Sequence, residues 1–381
     1  MLTPLDSYPA ARLVAPRVRA YFERHRREAT ARGVDVQAPL PDIGAIEQLV
    51  NAAFWTSLRR EEGYVPKVSL AYVPPDRDDH PLVFERPIPL SATALAKIAP
   101  VVERPGIHLG VWHDGDALTA WGTTRAIPPL CFVLEVVEPG LLVIKHHRGE
   151  LSGKYANVAV LEGDQIKIVD ERASGLPDCP TLLTSLLGHD RRGQKAGPVN
   201  LLVQLAVSMR AHGRGGSLLI VPAGTDTWRD SIVAPIPYAV EPPYTGLSSL
   251  LRATAAGRDA QPWRQALKDA VDAVAGLSAV DGATVMADTY DLLAFGAKIA
   301  RRRGSPQVEH VVVNEPIEGG SPQVVPPSSL GGTRHLSAAQ FVHDNRGAVA
   351  LVASQDRRFT VFAWSSSDDQ LHAHRVETLL L

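Results

Sequence analysis

The sequence predicts an α/β fold of the α+β kind, with a mixed-sheet domain preceded by a β-rich module and an N-terminal helical lead-in. Three observations support this fold class. Apolar residues recur at helical spacing in 43–58 and 263–277, short strand-like segments separated by turns fill 106–170, and helices alternate with strands after 190. Hairpin-like pairs interrupt that alternation, so the sheet is not expected to be of the parallel, doubly wound type.

The elements are expected to form three domains. Residues 1–100 are the helical and extended lead-in, with helices over 17–30, 43–58 and 91–99 and a strand over 67–73. Residues 101–178 are the small β-rich module, in which turns such as His113-Asp114-Gly115-Asp116 connect successive strands. The strands of this module are predicted over 107–112, 118–122, 131–137, 141–145, 157–161 and 165–169.

Residues 190–381 form the third domain, after a boundary placed near 180. Helices are predicted over 199–212 and 262–277. Strands are predicted over 217–221, 284–286, 292–295, 308–313, 348–353 and 359–364. A Gly-, Pro- and Ser-rich loop over 318–332 leads into a helix that starts near Thr333, and long loops in compact domains are often functional.

Composition excludes several classes of protein. The chain has 381 residues, 45% of them hydrophobic and 21% charged, as in ordinary globular proteins. Its net charge of −2 argues against a broad surface for nucleic acid or membrane. Cys131 and Cys179 are too few for a disulfide scaffold, and no apolar run approaches the length of a membrane span. We therefore expect a cytoplasmic protein with neither nucleic acid nor membrane as a partner.

The stretch 331–336, with the sequence GGTRHL, has the features of an anion site at the start of a helix. Its two glycines permit a tight turn, and Thr333 is suited to cap the helix, where unpaired N–H groups and the positive end of the dipole attract an anion. Arg334 and His335 add charge and donors for phosphate oxygens. Taken alone, such a stretch is more often an ordinary loop-to-helix capping turn.

A second motif, Asp281-Gly282-Ala283, precedes an apolar strand and follows a helix. Its carboxylate is a ligand type that hard cations such as Mg²⁺ prefer. Taken alone, this motif is more often an ordinary hairpin turn. A carboxylate, a divalent cation and a basic helix start together would make a site for nucleotide phosphates.

In this order, the two motifs resemble those of the diadenylate cyclase (DAC) domain family, in which Asp-Gly-Ala is followed by Gly-Thr-Arg-His-Arg-Ala-Ala. The resemblance covers about the last half of the chain, and the layout of the whole chain resembles a branch described as probable sensor domains (the DACNV type). It implies a site for a purine nucleotide or cyclic dinucleotide. The implied site residues are Asp281, Gly282, Ala283, Gly332, Thr333, Arg334 and His335.

The resemblance also implies roles and partners. Asp281 would hold Mg²⁺ or Mn²⁺ if the nucleotide is bound with a metal, and it would be catalytic in an active enzyme. The family's enzymes work as face-to-face pairs, so a homodimer is possible. A bacterial signalling, conflict or stress system with a protein effector is the implied setting.

Three departures from the family pattern bear on catalysis. Leu336 stands where the family has the second arginine of Arg-His-Arg, Val280 replaces a histidine, and 354–356 reads Ser-Gln-Asp instead of Ser-Glu-Glu. A leucine cannot replace a guanidinium that holds a triphosphate.

Three hypotheses for the function follow. The first, which we favour, is a nucleotide sensor derived from the cyclase; the second is an active diadenylate cyclase; the third is a scaffold that has lost its pocket.

Other patterns give weaker predictions. Gly213–Gly216 is expected to be a tight helix-to-strand connection, and Trp228 either a purine platform or a packing residue. The histidines at 146–147 and at 372 and 374 are expected to be exposed, without a metal. His113-Asp114-Gly115 echoes Val280-Asp281-Gly282, which hairpin chemistry explains better than a duplicated site.

Overall fold

The structure, a computed structural model, describes residues 7–77, 81–147, 155–170, 201–252 and 261–381. Two compact units divide the chain between Val169 and Asp170, and the terminal Leu381 groups with the first. The domain boundary expected near 180, Cys179 and the start of the helix expected at 199 lie outside the described residues.

The first unit is an eight-stranded mixed sheet with helices packed on it. Its helices are α1 (Pro9–Ala31), α2 (Ile43–Ser57) and α3 (Ala92–Ile98). Its strands are β1 (Ser69–Tyr72), β2 (Leu82–Pro89), β3 (His108–Asp114), β4 (Ala117–Thr124), β5 (Phe132–Glu138), β6 (Leu141–His147), β7 (Tyr155–Glu162) and β8 (Gln165–Ile168). They lie in the order β2-β4-β3-β1-β5-β6-β7-β8, and only β1 and β3 run parallel in this sheet.

Helix α2 shows why these residues fold as they do. Asp42 caps it by accepting a hydrogen bond from the Ala45 N–H, at 2.7 Å. Ile46, Leu49 and Val50 recur on one face and are fully buried in the core, where they contribute roughly 1.5–3 kcal/mol each by leaving water. Helix and sheet therefore share one hydrophobic core.

The expected separation between a lead-in (1–100) and a β-rich module (101–178) does not appear in this unit. Strand β1 of the lead-in lies between β3 and β5, and β2 pairs with β4. The physical reason is that β1 is short and its parallel partner is distant in the chain, so nothing in its local pattern indicates the pairing.

The second unit contains a nine-stranded mixed sheet. Its helices are α4 (Leu201–Ala211), α5 (Gly246–Arg252), α6 (Gln261–Leu277) and α7 (Thr333–Asp344). Its strands are β9 (Gly216–Val221), β10 (Tyr238–Tyr244), β11 (Ala283–Ala287), β12 (Leu292–Ala297), β13 (Val311–Asn314), β14 (Gln323–Val325), β15 (Val349–Ala353), β16 (Phe359–Ser365) and β17 (Gln370–Arg375). Their order is β10-β12-β11-β9-β15-β16-β17-β13-β14.

Helix α7 lies on one face of this sheet. Its buried Ala338, Phe341 and Val342 share a core cluster with Leu219 of β9 and Ala350 of β15. This packing fixes the start of α7 over one end of the central strands. Both sheets contain parallel and antiparallel pairs, and the predicted α/β class with mixed sheets is confirmed.

The histidines at 146–147 and at 372 and 374 lie in strands β6 and β17, and one histidine of each pair is buried. His146 of β6 is 6% exposed and lies 3.3 Å from the Tyr21 hydroxyl, and His374 of β17 is 4% exposed. The prediction of exposure was therefore wrong for these two histidines, since polar residues do not reveal which face of a strand the fold covers.

Stability is expected to fall in mild acid because of two buried histidines. Burial lowers the pKa of His108 and that of His374 to about 4, below the value of about 6.5 for an unfolded chain. Between these values the unfolded chain binds more protons, so stability is lost as the pH falls from about 6.5 towards 4. We expect the free energy of unfolding to decrease by about 1.4 kcal/mol per pH unit for each histidine.

Urea denaturation at several pH values measures this slope. His108→Gln should reduce the slope, whatever it does to stability at neutral pH, and His310→Gln, at an exposed position, should leave it unchanged. An identical slope in the parent and the His108 variant would contradict the assignment.

Candidate functional site

The start of α7 offers two unpaired backbone donors. Gly332, not Thr333 as expected, is the cap residue, and no side chain caps the helix. The N–H groups of His335 and Leu336 donate to the Gly332 carbonyl, at 3.0 and 3.4 Å. Within the described parts of the chain, the N–H groups of Thr333 and Arg334 have no acceptor. They point out of the positive end of the helix dipole, which is the arrangement that binds anions.

Arg334 adds a cation whose guanidinium is not engaged. It is half-buried, and among the described residues it forms neither an ion pair nor a side-chain hydrogen bond. Its Nη1 lies 3.0 Å from the point that a Cβ on Gly215 would occupy. Gly215, with φ of +71°, therefore leaves the room in which the guanidinium sits.

His335 differs from the charged contact that the motif suggests. Its ring is 2% exposed, and Nε2 lies 3.4 Å from the Thr360 hydroxyl. Burial is the main cause that lowers the pKa of His335; Asp356 opposes this effect, and the nearby Arg375, Arg358 and Arg334 lower the pKa further. At neutral pH the ring is therefore uncharged, and it supports the turn at Gly331 instead of adding positive charge.

Asp281 lies in the turn between α6 and β11. Its side chain is 91% exposed, and Oδ2 is 3.9 Å from Nζ of Lys298. The next residue, Gly282, has φ of +105°, and a Cβ there would lie 2.5 Å from the carbonyl carbon of Gly296. Only glycine fits this position, and it brings the Asp-Gly-Ala turn against the end of β12.

These elements surround one cavity of about 750 Å³. Its lining includes all seven residues identified from the sequence: Asp281, Gly282, Ala283, Gly332, Thr333, Arg334 and His335. The remaining lining residues are Ser217, Ala297, Lys298, Ile299, Leu330, Gly331, Ser337, Ser354, Gln355 and Asp356. The fold thus joins two motifs that lie far apart in the chain, and the volume falls in the range typical of small-molecule sites.

Two charged residues of the lining were missed by sequence reasoning as site residues. Lys298 directly follows β12, the second strand after the Asp-Gly-Ala turn, and no local sequence signal indicates its proximity to Asp281, which arises from the antiparallel pairing of β12 with β11. In the sequence, Asp356 stands out only as a departure from the family's Ser-Glu-Glu. A hydrogen bond from the Ser354 hydroxyl, together with Arg358 Nε at 3.4 Å, lowers the pKa of Asp356, so this carboxylate is ionised at neutral pH.

Leu336 does not contribute to the lining. It is 41% exposed and stands in the chain between two lining residues, His335 and Ser337. Leu336 is therefore not a core contact, and a longer side chain at this position starts beside the cavity.

The donor set suits a hard divalent cation only in part. The carboxylates of Asp281 and Asp356 are suitable oxygen ligands, and Asp281 is open to solvent. In the described ranges, no group of three or more His, Cys, Asp or Glu residues could hold a metal by itself. A cation here would need further oxygens, such as those of phosphates, which is how Mg²⁺ is commonly bound beside nucleotides.

Trp228 is not a purine platform. It is 1% exposed, belongs to the core that α7 covers, and is absent from the cavity lining. The Arg229 guanidinium stacks on its ring at 4.6 Å. Of the two interpretations of this tryptophan, packing is the correct one.

Comparison with known proteins finds a similarity, which lies in the first unit. No helix in the described residues is long and apolar enough to span a membrane. No curated protein matches the chain. Residues 35–125, which include α2 and β1 to β4, match the family described as probable sensor domain DACNV. The match does not extend to Asp281 or Thr333, but it confirms the resemblance to the DACNV type. Residues 35–125 of this chain are thus similar to the family described as probable sensor domain DACNV.

Proposed function

We propose that this protein is a sensor that binds a purine nucleotide or a cyclic dinucleotide in the cavity of its second unit. The observation that carries the proposal is the convergence of two unpaired N–H groups and the unengaged guanidinium of Arg334 on one cavity. Oriented donors and a fixed cation bind phosphate through charge-assisted hydrogen bonds. The family of the first unit supports a sensing role.

The rest of the lining fits the other parts of such a ligand. Ile299 and Leu330 supply apolar surface for a base, while Lys298 adds a second cation on the side of Asp281. Asp281 and Asp356 would hold Mg²⁺ or Mn²⁺ if the nucleotide is bound with a metal, and the metal would offset phosphate charge. A protein effector, in a bacterial signalling or stress system, would respond to occupancy.

A second candidate function, diadenylate cyclase, is favoured by one observation. Asp281 remains exposed and shares the cavity with Arg334, as the two-motif site requires. In that reaction the 3′-hydroxyl of each of two ATP molecules attacks the α-phosphorus of the other, and two pyrophosphates leave. Leu336 argues against it, because phosphoryl transfer depends on positioning and electrostatics that a missing arginine weakens.

Titration calorimetry of the full chain tests the proposal. The protein is titrated with ATP, cyclic di-AMP or cyclic di-GMP, once in the presence of Mg²⁺ and once in the presence of EDTA. In parallel, the protein is incubated with ATP and Mn²⁺, and mass spectrometry measures any cyclic di-AMP formed. Binding without product supports the sensor, and product supports the cyclase. The absence of binding to any purine nucleotide would contradict both.

Leu336→Arg is expected to tighten ATP binding by about ten- to a hundredfold, since a charge-assisted hydrogen bond contributes roughly 1.5–3 kcal/mol. The position is 41% exposed, so the melting temperature should hardly change. Calorimetry and thermal denaturation measure the two effects, with Leu336→Gln as the uncharged control. A folded Leu336→Arg protein with parental affinity would show that this position does not reach the phosphates.

A further inference from the structure

The two units have the same arrangement of strands. The order β2-β4-β3-β1-β5-β6-β7 in the first unit corresponds to β10-β12-β11-β9-β15-β16-β17 in the second. In both, the inner pair is parallel, β1 with β3 and β9 with β11, and the other pairs of this series are antiparallel. Helices match too: α2 precedes β1 as α4 precedes β9, and α3 follows β2 as α5 follows β10.

We infer that the first unit is a second copy of the fold of the second unit, with its ligand site closed by its own side chains, so that each chain binds one ligand. The statement about the ligand rests on the proposed function. The closure of the first site rests on the first unit alone.

Side-chain size at matching positions shows how the site is closed. In the second unit, Ala283 begins β11, pairs with Ser217 and Ala297, and all three small residues line the cavity. In the first unit, His108 begins β3 and pairs with Thr124. An imidazole thus occupies the position at which the second unit has a methyl group.

A hydrogen-bond network holds this imidazole in place. His108 is 1% exposed, with Nδ1 2.7 Å from the Ser69 hydroxyl and Nε2 2.9 Å from the Tyr155 hydroxyl. Beside it, Lys145 Nζ pairs with Glu135 Oε2 at 2.5 Å, and Glu135 Oε1 lies 3.5 Å from the Ser69 hydroxyl. Polar groups that would face a ligand instead satisfy one another, which is what burial requires of them.

The described residues of the first unit also lack the parts that would bind phosphate. Its connection from β4 to β5, residues 125–131, is short and contains no helix, whereas the matching connection 298–348 carries β13, β14 and α7. When β3 and β11 are aligned at their first residues, Gly106 stands at the position of Asp281. At these two matching positions, the helix start, the guanidinium and the exposed carboxylate therefore have no counterpart.

Titration of the full chain with ATP tests the stoichiometry. We expect one ATP per chain, and Arg334→Ala should reduce the affinity at least tenfold with no residual tight site. Two ATP per chain, or one ATP bound at parental affinity by the Arg334 variant, would overturn the inference while leaving nucleotide binding intact. If ATP does not bind, cyclic di-AMP and cyclic di-GMP are titrated in the same way and judged by the same stoichiometry, and a complete absence of binding to all three would overturn the proposed function and, with it, the statement about ligand number.

Lysine acetylation tests the closed site without any ligand. Brief treatment with an acetylating ester and peptide mass spectrometry gives the rate at each lysine of the folded chain. The side chain of Lys145 is 10% exposed, and the side chain of Lys298 is 65% exposed. Lys268, 68% exposed and ion-paired with Asp272 at 2.6 Å, controls for the effect of ion pairing alone. We expect Lys145 to react at least tenfold more slowly than both, and reaction at the rate of Lys268 would show that the first site is open.

Discussion

Arg334→Ala is expected to weaken ATP binding by about ten- to a hundredfold, the largest loss that one substitution in the cavity should cause. A charge-assisted hydrogen bond contributes roughly 1.5–3 kcal/mol, and no described residue competes with a phosphate for this guanidinium. Stability should hardly change, because removing a half-buried, unpaired cation leaves no partner unsatisfied.

Calorimetry with ATP checks this loss. Arg264→Ala is the matched control: Arg264 is exposed on α6, outside the cavity lining, and its removal changes the net charge equally. Arg334→Lys should recover part of the affinity, since it restores charge without the forked geometry. Equal affinity in the two alanine variants would mean that the effect is one of overall charge, and the cavity would not be the phosphate site.

Gly282→Ala is expected to destabilise the second unit by about 2–3 kcal/mol. A non-glycine residue in the left-handed region costs roughly 1–2 kcal/mol, and the new Cβ would overlap the backbone of Gly296 at 2.5 Å, which must move. Since Asp281 is the neighbouring residue, nucleotide affinity should fall as well.

Urea denaturation measures this effect, and Gly276→Ala provides the control. Gly276 lies within α6, and nothing stands within 4 Å of the Cβ it would gain. The same substitution there should leave the protein as stable, or more stable by about 0.5–1 kcal/mol, because alanine favours a helix. If both variants unfold at the same urea concentration, Gly282 is not required by the turn.

Much of the fold follows from local sequence. The hairpins of the first unit, the strands that follow Asp281 and the helix at Thr333 are indicated by apolar period and turn residues. The edge strands β2 and β10 were not predicted, because prolines interrupt both and their side chains are largely exposed. Strand β17 was also missed, since three of its six residues are polar or charged at positions that the fold buries in part.

The candidate site was predictable to the extent that it consists of local motifs. Asp281 and Arg334 can be recognised because the residues next to them form local motifs. Lys298 belongs to no such motif and reaches the cavity only through the pairing of β12 with β11. The duplicated fold was hidden for a related reason. His113-Asp114-Gly115 resembles the Asp281 turn but lies at the other end of its strand, after β3 instead of before it. The two units share the order of their strands in the sheet, and this order cannot be predicted from a short sequence motif.

The uncapped start of α7 couples the ligand to the energetics of the helix. A serine or aspartate at position 332 would satisfy a first-turn N–H group, and relative to glycine it would stabilise the helix by a few tenths of a kcal/mol. Gly332 leaves that N–H group without a side-chain acceptor, and a bound anion would supply the acceptor instead. Binding of an anion would therefore stabilise the first turn of α7 relative to the free protein. Helix α7 packs on the sheet through its buried face. Stabilisation of its first turn by a bound anion is therefore a physical means by which binding can affect residues outside the cavity.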